Sequence, residues 1–165
     1  MLLKFIFGAT MVAFTTFCGY LFARKYRQRK LFFAQFSEFN DRYISEISYS
    51  RRPIKTFISA YAYKGEFDTF LRKYFEVLES GQTRMHGFDF KTELSFLKQE
   101  ERQIVLDYFI MLGKGDSVSQ KGYFSTIKER LHSLASLTEN EHKKYGNLYV
   151  KIGFLCGLFI LILII

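Results

Sequence analysis

The sequence predicts an all-α protein: an antiparallel helical bundle flanked by an N-terminal and a C-terminal transmembrane helix. Three observations predict this. Residues 5–23 form an uncharged apolar run. Apolar residues through the middle of the chain recur at alternating steps of three and four, which lines up one helical face, and no stretch alternates with period two for long enough to make a strand. The stretch from Ser117 to Ile165 contains no proline and passes from an amphipathic stripe into an apolar run where Lys151 is the only charge after Leu148.

Taken in order, residues 5–23 suffice for about 28 Å of helix, the thickness of the hydrocarbon layer. A cleaved signal peptide is the competing reading, since Lys4 supplies a minimal basic start. The stronger basic cluster, Arg24, Lys25, Arg27, Arg29 and Lys30, lies after the apolar run. That placement favours an uncleaved anchor whose following segment stays in the cytoplasm. Residues 24–146 are read as the bundle domain and 148–165 as the second span. Phe32, Phe36, Phe39, Tyr43 and Ile47 then make an amphipathic stripe with Glu38, Asp41, Arg42 and Glu46 between them, and no Gly or Pro separates this stripe from the anchor, so the two can form one helix.

Pro53 suits the first turn of a helix running to about Tyr63 and stopped by Gly65. Phe67 to Ser80 reads as the next helix, closed at Gly81. Gln82 to Asp89 reads as a loop, followed by a helix from about Phe90 to Lys98 and another from about Glu100, ended by Gly113. Asp116 or Ser117 can cap the last helix. Its stripe is Phe124, Ile127, Leu131, Leu134, Thr138, Glu141, Tyr145 and Leu148, apolar at the start and polar around Thr138 and Glu141. Gly153 and Gly157 form the spacing that permits close helix approach, which would mark a self-association or partner face; the same spacing also arises by chance in an apolar helix.

Charge and motif content exclude several functions. The net charge of +8 could suggest nucleic acid, but residues 31–145 hold 17 Lys+Arg against 16 Asp+Glu. The excess lies beside the first span, where it is a topology signal rather than a nucleic-acid footprint. Cys18 and Cys156 fall within the spans with no CxxC or Cys/His neighbour, so neither a disulfide framework nor a zinc site follows. His86, His132 and His142 lack an i+4 partner, and Gly113-Lys114-Gly115 lacks the strand and the full spacing of a phosphate loop. No catalytic, cofactor-binding or metal-ligating residue is nominated, and the expectation is a protein that is not an enzyme.

Two short motifs carry a family resemblance. Glu46-Ile47-Ser48-Tyr49 followed by Arg51-Arg52-Pro53-Ile54 resembles the junction after the first helix of stage III sporulation protein AB. Leu112-Gly113-Lys114-Gly115-Asp116-Ser117-Val118-Ser119-Gln120 is similar to the LG-x-x-D-x-x-x-Q turn of that family. The order of anchor, helical middle and closing apolar helix matches across the whole chain. Ile54 stands where the family usually has Leu, and Gly115 where it usually has Ser. Physically, Tyr49 and Pro53 would fix the first corner, Gly113 would let the chain reverse, Asp116 would cap the next helix and Gln120 would bond back to the loop.

The resemblance implies a membrane component of the channel complex between mother cell and forespore in endospore-forming bacteria. It also implies a helical domain similar to the cytoplasmic domain of type II secretion platform proteins, which sit beside an ATPase. The expected partners are therefore the membrane, other channel proteins including the sporulation ATPase and, through Gly153 and Gly157, further copies of the chain. The expected location is the mother-cell membrane around the forespore, with the domain in the cytoplasm. A membrane-anchored helical sensor or regulator is the alternative, supported by the long helix that emerges from the membrane.

Overall fold

Helices account for nearly all of the computed structural model, which describes residues 2–49, 53–79, 90–112 and 117–164, and no strand occurs among these. The order is α1 (Leu2–Tyr49), α2 (Ile54–Ser59), α3 (Gly65–Glu79), α4 (Phe90–Glu93), α5 (Gln99–Met111), α6 (Ser117–Glu141), a π-helical turn (His142–Gly146) and α7 (Asn147–Ile164). The chain forms two compact units: one of residues 1–30 with 136–165, and one of residues 31–135. As expected, the anchor runs unbroken into the first amphipathic helix, since α1 has 48 residues with no Gly or Pro from Tyr20 onward.

In the unit of residues 31–135 the stripe read from spacing is the buried face. Phe32, Phe36 and Phe39 are fully buried and Tyr43 nearly so, and Phe33 widens the face by one more fully buried ring. They meet Phe67, Phe70 and Tyr74 of α3, Tyr108 and Phe109 of α5 and Phe124 of α6. Many contacts are edge to face, such as Phe36 with Tyr108 at 4.7 Å between centroids and Tyr108 with Phe124 at 4.8 Å. That arrangement sets the positive ring edge against the negative face of its neighbour.

Several polar groups in this core are paired, while the buried Ser37 and Tyr63 hydroxyls have no hydrogen-bond partner among the described residues. Tyr108 Oη donates to Asn40 Oδ1 at 3.1 Å, and Asn40 Nδ2 donates to the Phe124 carbonyl at 3.2 Å. One buried asparagine thus links α1, α5 and α6. Tyr74 Oη donates to the Phe109 carbonyl at 3.0 Å, and burial pushes its phenol up to about 12. Glu101, also buried, accepts the Lys98 amide at the start of α5 at 2.9 Å, which satisfies a donor of the helix approach.

The structure corrects several expected boundaries. Pro53 stands just before α2 rather than in its first turn, with its carbonyl accepting the Phe57 amide at 3.1 Å. The helix then stops at Ser59, not Tyr63, because the Ala60 and Tyr61 amides bond three residues back and tighten the end. Gly65 opens α3 instead of closing α2, and its φ of +66° is the left-handed conformation that favours glycine. The helix expected from Phe90 to Lys98 lasts one turn; Ser95 and Leu97 then bond to Thr92 and Leu94 in three-residue turns that still bury Leu94 and Leu97. The loop from Gln82, and the turn with Gly113 and Asp116, lie outside the described residues.

Replacing Asn40 with Ala should leave the buried Tyr108 hydroxyl without its acceptor and remove the added bond to the Phe124 carbonyl. Thermal unfolding of the full chain in detergent is expected to show a loss of about 1–3 kcal/mol. An unchanged melting temperature would mean that this network does not hold the three helices.

Candidate functional site

The unit of residues 1–30 and 136–165 is an antiparallel pair of helices whose register can be followed residue by residue. A Cβ on Gly8 would meet Leu161, and one on Gly157 would lie 2.7 Å from Val12 Cα. A Cβ on Gly153 would lie 2.5 Å from the Thr15 carbonyl oxygen, and one on Gly19 would lie 3.3 Å from Val150 Cα. Further along, Phe22 packs on Tyr149 and Tyr26 on Tyr145, Arg29 pairs with Glu141 and Lys30 with Glu139. Each step forward on α1 is matched by a step back on the other helix.

The glycines make this approach feasible. At Gly19, Gly153 and Gly157 the atoms that a side chain would strike include backbone of the opposing helix, which cannot swing aside. Gly153 and Gly157 therefore face α1 of the same chain. The hydroxyls along this stretch are satisfied within their own helix: Thr15 Oγ1 donates to the Met11 carbonyl at 3.0 Å and Thr16 Oγ1 to the Val12 carbonyl at 2.7 Å. A hydroxyl paired in this way needs no water as its partner.

Both helices are long and apolar enough to cross a membrane. Their outer surfaces carry large apolar side chains such as Phe14, Phe17, Leu155 and Phe159, each more than half exposed. A continuous apolar exterior of this kind suits hydrocarbon rather than water. Cys18 is partly buried and Cys156 exposed on these helices, both as free thiols.

Polar chemistry concentrates at the end of the pair. Arg29 is 5% exposed and donates to Glu141, itself 19% exposed. A guanidinium this deeply buried requires an opposite charge. Beside it, Glu139 faces Lys143 at 3.1 Å and Lys30 at 3.8 Å, and Lys143 foremost holds its carboxyl below the usual range. The π-helical turn follows at once. A Cβ on Gly146 would lie 2.8 Å from His142 Nδ1, so this glycine makes room for the imidazole. Burial, then the charges of Lys30 and Arg27, lower the His142 pKa.

The residues singled out in the sequence are thus divided. Arg29 and Lys30 are ion-paired, while Arg24, Lys25 and Arg27 are exposed. Gln120 Oε1 accepts the Tyr43 hydroxyl at 3.0 Å and so ties α6 to α1 within the bundle. Pro53 lies exposed at its corner, and Tyr49, the last residue of α1, is 88% exposed. Sequence reasoning does not nominate Glu141, Gly8, Gly19 or Thr15 as site residues. For Glu141 a signal is present, an acid on an otherwise largely apolar stripe.

A family model for stage III sporulation protein AB matches residues 4–165. The chain belongs to the stage III sporulation protein AB family. Membership assigns it a role in stage III of sporulation. No curated protein and no solved structure matches it. The match covers both apolar helices as well as the bundle.

Elsewhere, a cleft of about 670 Å³ lies against α2 and α3, walled by Ile58, Tyr61, Tyr63, Leu71 and Phe75. Its charged rim includes Arg72, which is engaged with Asp68 at 2.8 Å. Among the described residues no group of His, Cys, Asp and Glu is arranged to hold a metal ion.

The glycine seam makes a contrast that can be measured. Gly153→Leu should force the paired helices apart and cost about 1–3 kcal/mol, as overpacking does. A Cβ added to Gly122 on α6 would have nothing within 4 Å, so Gly122→Ala should instead stabilise by about 1 kcal/mol through helix propensity. Melting of both variants in detergent tests the pair; equal shifts would remove the argument for close approach.

Proposed function

We propose that this family member is a non-enzymatic platform in a secretion-like channel complex between mother cell and forespore. The observation that carries the reading is the full-length family match on a chain with an apolar helix at each end. In this reading both helices cross the mother-cell membrane around the forespore as a hairpin. The bundle of residues 31–135 lies in the mother-cell cytoplasm, where the sporulation ATPase of the same complex can reach it.

Physical features support the topology and the scaffold character of this reading. The cations at positions 24–30 follow the first apolar run and Lys143 and Lys144 precede the second, which would retain the same side of both spans in the cytoplasm. The ionisable side chains of the bundle described above serve ion pairs and helix ends, as with Arg72 and Asp68, Lys73 and Glu93, and Glu101. A rigid aromatic core linked by buried hydrogen bonds is suited to presenting a fixed surface to other proteins.

Crosslinking in sporulating cells, followed by purification of the tagged full chain, should recover other channel components and the ATPase. In parallel, single cysteines at Ser45 and after Ile165, in a background lacking Cys18 and Cys156, should be labelled by an impermeant thiol reagent only at the C-terminal position. Failure to recover any channel component would overturn the platform reading. Labelling at Ser45 alone would reverse the topology on which the ATPase contact depends.

A further inference from the structure

The charges of the hairpin unit point to a partner that a platform role does not require. Residues 1–30 and 136–165 hold nine Lys+Arg and two Asp+Glu, a net of +7, whereas residues 31–135 hold fifteen against fourteen, a net of +1. Both acids of the hairpin are engaged, Glu141 with Arg29 and Glu139 with Lys143 and Lys30. Arg24, Lys25, Arg27 and Lys144 make no ion pair among the described residues.

Their placement follows from helix geometry. Phe22, Tyr26, Arg29 and Lys30 form the side of α1 that meets the opposite helix. Arg24, Lys25 and Arg27 fall between these positions and so emerge on the outer side, where all three are exposed. On the facing stretch Lys143 and Lys144 are exposed as well, the latter with its ammonium 5.2 Å from the Tyr145 ring centroid. The rings Tyr26, Tyr145 and Tyr149 are clustered at the same level. Aromatic rings of this kind mark the membrane–water interface. Residues 24–30 extend only about 9 Å along the helix, comparable to the headgroup layer.

We infer that this collar binds anionic phospholipid headgroups, with Arg24, Lys25, Arg27, Lys143 and Lys144 holding the lipid phosphates around the hairpin. The chemistry is charge complementarity at the depth where phosphates lie, and guanidinium groups can engage phosphate with two donors at once. The collar would give the chain a shell of anionic lipid. The inference rests on the membrane hairpin and not on the channel assembly.

The test uses the full chain reconstituted in phosphatidylcholine bilayers containing trace spin-labelled phosphatidylglycerol or spin-labelled phosphatidylcholine. The motionally restricted fraction of each label reports its association with the protein. The parent is expected to prefer phosphatidylglycerol about three- to tenfold, and the preference should vanish in high salt. It should fall to parity in R24Q/K25Q/R27Q/K143Q/K144Q and persist in the bundle variant K64Q/K121Q. If the five-residue variant fails to insert, the salt dependence of the parent decides. Equal association of the two lipids with the parent, or a preference that survives high salt, would overturn the inference. So would displacement of the lipid by inorganic phosphate at matched ionic strength, which would indicate a site for free phosphate.

Discussion

The hairpin depends on one buried ion pair. Arg29 is almost wholly removed from solvent, and Glu141 faces its guanidinium from the other helix, so the buried charge has a counter-charge. Leaving either charge behind without its partner costs several kcal/mol, roughly 3–5 in buried pairs. The pair therefore excludes slipped alignments: moving one helix by a residue would strand both groups. The rest of the register follows. With Arg29 against Glu141, the glycines at 153 and 157 fall opposite Thr15 and Val12, where only a hydrogen atom can be accommodated. Specificity comes from the polar end and closeness from the glycine seam.

The bundle is governed by a different constraint, the need to fill a small interior with very large side chains. Twenty Phe and eleven Tyr in 165 residues supply volume without long flexible chains, and edge-to-face contacts let the rings interlock. Buried hydroxyls and amides such as those of Tyr74, Tyr108 and Asn40 find partners inside the core. Asn40 does this for three helices at once, so the same residue that would be costly alone gives the core a single arrangement. The helix α1 supplies residues to both units.

Much of this is legible in the sequence, for reasons that differ by element. The stripe from Phe32 to Tyr43 reads correctly because a buried helical face imposes its period on the residues. Spacing overextends the short helix at Phe90–Glu93 because three-residue turns bury Leu94 and Leu97 at the same spacing that a helix would. Periodicity does not separate the two. Gly65 reads as a stop, yet its positive φ lets the chain reverse and begin α3 in the same residue. The pairing of Arg29 with Glu141 joins residues 112 apart and depends on tertiary register, so the sequence displays only its symptom, an acid on a largely apolar stripe. The same holds for Gly19, whose neighbour Val150 is set by how two helices align.

The most direct test of this account is a double-mutant cycle on the full chain in detergent or lipid, using Arg29→Met, Glu141→Leu and the combination, with thermal unfolding as the readout. Each single change should lower the melting temperature sharply, because the remaining charge is left buried. The combined variant should recover most of that loss, since two apolar side chains can share the site. Losses that simply add in the double variant would contradict a direct buried pair and, with it, the helix register that the pair sets.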